Sequence, residues 1–111
     1  MVFYGDDTWL KLFPSDKFFL RHEGVTSFFA SDYHEVDRNV TRHLAHELNK
    51  NDWQVMILHY LGLDHIGHIE GPHSNNMKMK LAEMDDIFMD VYENLTQHVS
   101  ILSLPEILLK R

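Results

Sequence analysis

Between Trp53 and Leu61 the chain reads Trp-Gln-Val-Met-Ile-Leu-His-Tyr-Leu, nearly continuous in apolar residues. A half-exposed strand alternates apolar with polar, and an amphipathic helix repeats every three or four residues. An unbroken run this rich in β-prone side chains predicts a strand with both faces covered, as in the parallel sheets of α/β folds. Parallel strands need crossover segments between them. Val2-Phe3-Tyr4 reads as a strand entered midway, so the chain is expected to be cut from something longer. Leu10 to Phe19 is aromatic and interrupted by Pro14, which predicts irregular structure or a single helical turn. Thr26-Ser27-Phe28-Phe29-Ala30 has the composition of a second strand. Asp32 and Glu35 have capping-box spacing, and behind them Val36, Val40, Leu44 and Leu48 predict a helix over 33–49 with one apolar stripe. After Gly71-Pro72, Ser74 or Asn75 caps a long helix whose Met77, Leu81, Met84, Phe88, Val91 and Leu95 alternate steps of four and three. Strand, strand, helix, strand, helix in this order predicts an α/β fold with a mostly parallel sheet. The tail, Ile101 to Arg111, is apolar with a break at Pro105 and matches no template.

The 111 residues are enough for one domain. Ten Lys and Arg against seventeen Asp and Glu leave a net charge of −7 with no basic block, which excludes a nucleic-acid surface built on Lys and Arg. With no cysteine there is no disulfide scaffold, thiolate zinc site or Cys nucleophile. No apolar run approaches the roughly 20 residues of a membrane span.

Nine histidines are the compositional oddity, and His59, His65, His68 and His73 fall close together. Ligands of open α/β sheets bind beyond the carboxyl ends of the strands. Two segments leave a predicted strand and present acids or imidazoles there: Gly5-Asp6-Asp7-Thr8 and Gly62-Leu63-Asp64-His65-Ile66-Gly67-His68. The second is sharper. Read as a tight loop turning at Gly67, it lets Asp64 and His68 converge on one ion, and carboxylate and imidazole both suit a zinc-like ion at roughly 2.0–2.2 Å. Catalytic zinc takes about three protein ligands, so this pair supplies at most two. The plainer reading has Asp64 capping a turn and His65 and His68 solvated. His59 is expected to be a hydrogen-bonded core histidine, His43 and His46 to be solvated on their helix, and Met77, Met79, Met84 and Met89 to be packing residues. Asn39-Val40-Thr41 and Asn94-Leu95-Thr96 are glycosylation sequons within predicted helices.

Taken in order, the motifs resemble those of the GPI ethanolamine phosphate transferases. Val2-Phe3-Tyr4-Gly5-Asp6-Asp7-Thr8-Trp9 with Leu12-Phe13-Pro14 is similar to their G-D-D/E-T-W…L-F-P segment. Ser31-Asp32-Tyr33-His34-Glu35-Val36-Asp37-Arg38-Asn39-Val40-Thr41-Arg42-His43-Leu44 looks like their S-D-Y-x-E-V-D-x-N-V-T-R-H-L helix. His59-Tyr60-Leu61-Gly62-Leu63-Asp64-His65-Ile66-Gly67-His68 with Gly71-Pro72 matches their D-H-x-G-H…G-P signature, and Lys80-Leu81 with Glu83-Met84-Asp85 the helix after it. Tyr33, Val36, the Asn39–Leu44 run and His59-Tyr60 resemble the type that modifies the second mannose. The resemblance implies an incomplete alkaline-phosphatase-like core, a mostly parallel sheet flanked by helices. It implies two zinc ions and a threonine nucleophile in a catalytic domain on the lumenal face of the endoplasmic reticulum membrane. It implies transfer of phosphoethanolamine from phosphatidylethanolamine to a mannose of the GPI precursor, with room for an accessory membrane subunit.

Carried over by position, Asp64 and His68 match the D-x-x-x-H pair on one zinc, His65 is an orienting neighbour, and Asp6 and Asp7 belong to the turn beside the site. Thr8 matches a different motif from the nucleophile, which has no counterpart here, and the family's later G-D-H-G motif is missing. The expectation is therefore an internal part of the catalytic domain over residues 1–90, a divergent helical or irregular tail over 91–111, and no activity in these residues alone. Two other functions fit the same residues: a superfamily phosphodiesterase using water as acceptor, and a non-catalytic α/β fragment.

Overall fold

Val2, Phe3 and Tyr4 are apolar on both sides of the backbone, and they enter the middle of the sheet. The computed structural model describes residues 1–26 and 32–98. In it β1 (Val2–Asp6) lies between β2 (Arg21–Val25) and β3 (Met56–His59), parallel to both. Phe3 pairs with His22 on one side and Ile57 on the other. All three apolar residues of β1 are buried, as a central parallel strand requires.

Alternation along β1 divides the core into two layers. Val2 and Tyr4 face α3 (Glu35–Leu48), where they meet Val40 together with the half-buried Trp53, Met56, Leu58 and Tyr60. Phe3 meets the rings of Trp9 and Phe19, at 5.9 and 5.5 Å between centroids. Trp9 is in α1 (Thr8–Leu12) and Phe19 follows α2 (Ser15–Phe18), two short helices on either side of Pro14 where irregular structure or a single turn was expected.

The helix expected over 33–49 is α3, and its whole stripe, Val36, Val40, Leu44 and Leu48, is buried. Asp32 Oδ1 accepts the amides of His34 and Glu35, both at 3.0 Å, so the capping carboxylate is the one the spacing indicated. The second strand is a correction. It was expected at 26–30, but the pairing residues are Arg21-His22-Glu23-Gly24-Val25; Thr26 lies outside the strand and 27–30 outside the described residues. Two of its polar side chains find ionic partners on α3, Arg21 on Glu47 and Glu23 on Arg42 and His43, while His22 between them is exposed beside Phe19. His43 is accordingly not a solvated residue. It stacks on Tyr4 at 4.3 Å and shares a 2.8 Å hydrogen bond with Glu23, whereas His46 is exposed as expected.

The apolar run 53–61 contributes only four ladder residues, all half-buried, so the two-sided cover expected of it is not found among the described residues. Its alternate members Met56, Leu58 and Tyr60 pack toward Val2, Tyr4 and Val40 on one face. His59 is a second correction: its buried Nδ1 has no hydrogen-bond partner among the described residues, and Trp9 meets its ring edge-on.

The segment expected to be a loop is a helix, α4 (Gly62–Ile69), closed by Gly71 at φ 83°. Then α5 (Asn75–His98) begins behind Ser74, whose Oγ accepts the Met77 amide at 3.1 Å. Its apolar stripe is less covered than a core stripe should be, with Leu81 and Phe88 exposed, and Met79 and Met89, expected to pack, are exposed on its other faces. The fully buried residue on α5 is instead Lys80. Parallel strands, with helices against them, make the fold α/β as the element order predicts.

Candidate metal-binding pair at the carboxyl end of the sheet

The chain leaves β3 at His59, crosses Tyr60 and Leu61, and starts α4 at Gly62, so the first turn of α4 sits at the carboxyl end of the parallel strands. Asp64 and His68 are one helical turn apart and share a face of α4. Asp64 Oδ1 lies 3.3 Å from His68 Nε2, with side chains 63% and 78% exposed, respectively. The two side chains are close together, and a helix brings them together, not the tight loop expected. Gly67 has no positive φ, so no turn depends on it. A Cβ there would meet only the end of the Met77 side chain of α5, at an ordinary contact distance of 3.7 Å, so packing does not require a glycine either.

One oxygen and one nitrogen donor on a solvent-facing surface are chemically suited to a zinc-type ion. Among the described residues no third His, Asp or Glu joins them into a metal-holding group. By themselves the two donors are fewer than the about three protein ligands a catalytic zinc takes.

The other expected site residues lie elsewhere. His65 is about 100° further round the helix than Asp64, and its Nδ1 donates to the Asp32 carbonyl at 3.0 Å. That contact ties α4 to the start of α3. Asp6 closes the turn after β1, its Oδ1 accepting the Thr8 amide at 3.0 Å and the Thr8 hydroxyl. Asp7 accepts Lys11 at 3.1 Å and the Thr26 hydroxyl at 3.0 Å, and the Lys11 ammonium holds its carboxyl below the usual range. Both aspartates thus shape the β1–α1 turn, and neither clusters with Asp64 and His68. Asn39 and Asn94 stand within α3 and α5, where each side-chain amide donates to the carbonyl four residues earlier, at 3.1 and 2.8 Å.

Two residues of this region carried no weight in the sequence reading. Asp37 and Lys80 are each 1% exposed, and Asp37 accepts the backbone amides that open α4. The available signal was Lys80 itself, three residues after Met77 and four before Met84, a charge standing on an apolar stripe.

Over residues 10–103 the sequence matches the family model described as type I phosphodiesterase / nucleotide pyrophosphatase. The chain belongs to that family, whose alkaline-phosphatase-like architecture agrees with the parallel sheet and flanking helices. It is similar to GPI ethanolamine phosphate transferase 2, catalytic subunit, of Homo sapiens, with 55% identity over 97% of this chain and 11% of the relative. It is also similar to proteins named GPI ethanolamine phosphate transferase 2: 59% identity with that of Eremothecium gossypii and 58% with that of Aspergillus oryzae. Those matches cover 84% and 87% of this chain. The chain spans 11% of the length of each of these relatives. No solved structure matches it.

Proposed function

We propose that these residues form part of the catalytic domain of a metal-dependent ethanolamine phosphate transferase. The reaction is transfer of phosphoethanolamine from phosphatidylethanolamine to a mannose, the second, of the GPI precursor, on the lumenal face of the endoplasmic reticulum membrane. The names of the relatives support the transferase class. The observation that carries the site is the Asp64–His68 pair, 3.3 Å apart on an exposed helical face at the carboxyl end of a parallel sheet. In this reading residues 1–90 are an internal part of the domain and 91–111 a divergent tail.

Asp64 and His68 hold one zinc ion with ligands from elsewhere in the enzyme. A bound ion of this kind neutralises phosphoryl oxygens and lowers the pKa of the attacking hydroxyl. Asp64 contributes the anionic oxygen and His68 a neutral imidazole nitrogen. His65 holds α4 to Asp32 and keeps the ligand face turned outward. The resemblance implies a threonine nucleophile with no counterpart among these residues, so the 111 residues alone are expected to be inactive; Thr8, whose hydroxyl donates to Asp6, matches a different motif.

The test uses the full-length protein with Asp64→Ala and His68→Ala. Both variants are expected to lose phosphoethanolamine transfer by roughly 100-fold or more, because a catalytic ion with a ligand removed is neither held nor oriented. Transfer at the native rate in either variant contradicts the assignment. Running the assay with and without a mannose-bearing acceptor separates the transferase from a phosphodiesterase, which releases phosphoethanolamine to water in both cases.

A further inference from the structure

The amides that open a helix have no partner within it, and the residue in the capping position usually supplies one. At α4 that residue is Leu61, whose side chain has no acceptor. The acceptor comes from another helix. Asp37 Oδ1 receives the Leu61 amide at 2.8 Å and the Gly62 amide at 3.1 Å. Asp37 Oδ2 stands 3.2 Å from Lys80 Nζ, and both side chains are buried. Lys80 Nζ in turn reaches Glu83 Oε2 at 3.0 Å and His34 Nδ1 at 3.2 Å. One carboxylate therefore meets the positive end of α4 with one oxygen and an α5 ammonium with the other.

Gly62 shows how tightly this joint closes. A Cβ there would lie 2.4 Å from Asp37 Oδ2, 2.6 Å from the Tyr33 carbonyl and 2.8 Å from Lys80 Cε. The same stretch of chain grips α4 further along: Asp32 at His65, and Tyr33 at Glu70 through a 2.9 Å hydrogen bond. Of these three contacts only the Asp37 cap holds the backbone amides that open the helix, two residues before Asp64.

We propose that Asp37, buried beside Lys80, is a positioning residue that caps α4 from a distance and fixes the orientation of the Asp64/His68 face. The proposal rests on the metal-site reading for its consequence, though not for its geometry. A ligand helix whose start drifts by about 1 Å is expected to cost up to roughly 100-fold in activity.

Two full-length double variants separate a cap from a merely buried charge. Asp37→Asn with Lys80→Met keeps the oxygen acceptor and removes both charges, whereas Asp37→Leu with Lys80→Met removes the acceptor as well at similar volume. The Asn/Met protein is expected to keep hydrogen-exchange protection at Leu61 and Gly62, and its zinc affinity, close to native. The Leu/Met protein is expected to lose roughly 100-fold of that protection and roughly 10- to 100-fold in zinc affinity, while α3 and β1 stay protected. Equal protection and equal zinc affinity in the two double variants overturn the proposal. If the Leu/Met protein does not fold, Gly62→Ala answers the same question, because it leaves both charges in place and pushes the start of α4 away from them. Reduced zinc affinity is expected there, and native affinity overturns the proposal. Asp64→Ala, measured alongside, keeps the two readings apart. Unchanged zinc affinity in that variant removes the metal site while the exchange comparison still decides the cap.

Discussion

Arg21→Ala is expected to destabilise the fold by about 3–5 kcal/mol, the usual consequence of stripping one partner from a buried ion pair. Glu47 is fully buried at the base of α3. Arg21 reaches it with two 2.7 Å hydrogen bonds, and the Tyr4 hydroxyl donates a third at 2.6 Å. Arg21 is itself fixed from the other side by Asp52, at 2.7 and 2.8 Å. Without the guanidinium, Glu47 keeps its charge in the core with one phenol for company. Arg21→Lys restores little, because an ammonium cannot form the paired bonds. Urea melts of the protein check both variants, and a loss below about 1 kcal/mol, the ordinary figure for a surface pair, contradicts the account.

The same cluster gives the fold a pH window. Hydrogen bonding from Arg21 holds the Glu47 carboxyl below its ordinary range against the opposing effect of burial, with Tyr4 helping. The folded value is the lower one, so this stabilisation is complete above the ordinary carboxylate range and fades as acid carries the pH down through the depressed value. Tyr4 runs the other way. Burial first, and then the Glu47 carboxylate, push its phenol from 10.0 up to about 12. Its contribution is complete below pH 10 and is lost as the pH climbs toward 12. Tyr4→Phe is expected to abolish that alkaline loss, so matching alkaline melts of parent and variant contradict the assignment.

Gly5→Ala is the second large effect, expected to destabilise by more than about 3 kcal/mol, since backbone strain and overpacking act together. Gly5 has φ 154°, and a Cβ there would stand 2.6 Å from both the Cβ and the carbonyl oxygen of His59. Those atoms belong to the neighbouring strand, where nothing soft can yield, and pushing β3 aside also moves the start of α4. Gly24, its partner in register, provides the contrast. Its nearest obstacle is the end of the Leu10 side chain at 2.7 Å, which can rotate away. Gly24→Ala is therefore expected to cost about 1–2 kcal/mol. Thermal melts that rank the two substitutions the other way contradict this packing.

Elements made by local apolar periodicity were legible in the sequence. The stripe Val36, Val40, Leu44, Leu48 indicated α3 and is buried throughout, and Val2-Phe3-Tyr4 gave the central strand. Elements made by distant partners were not. Nothing near Arg21-His22-Glu23 indicates a strand, because the groups that let Arg21 and Glu23 sit beside β1 are Glu47, Arg42 and His43 on α3. The glycines at 62 and 67 suggested a loop because the carboxylate that caps the helix between them lies 25 positions upstream of Gly62. Asp64 and His68 were paired by their spacing, and a helix turned out to serve that spacing better than the tight turn expected. Lys80 was hidden for the same reason as α4, its partner Asp37 being on another helix.

Zinc content of the purified full-length protein tests most directly whether Asp64 and His68 share one ion. Asp64→Ala, His68→Ala and the double variant are each expected to lose the same single equivalent, since donors to one ion do not act additively. A double variant that retains the parent's full zinc content, or that loses two equivalents where each single variant loses one, contradicts the shared site.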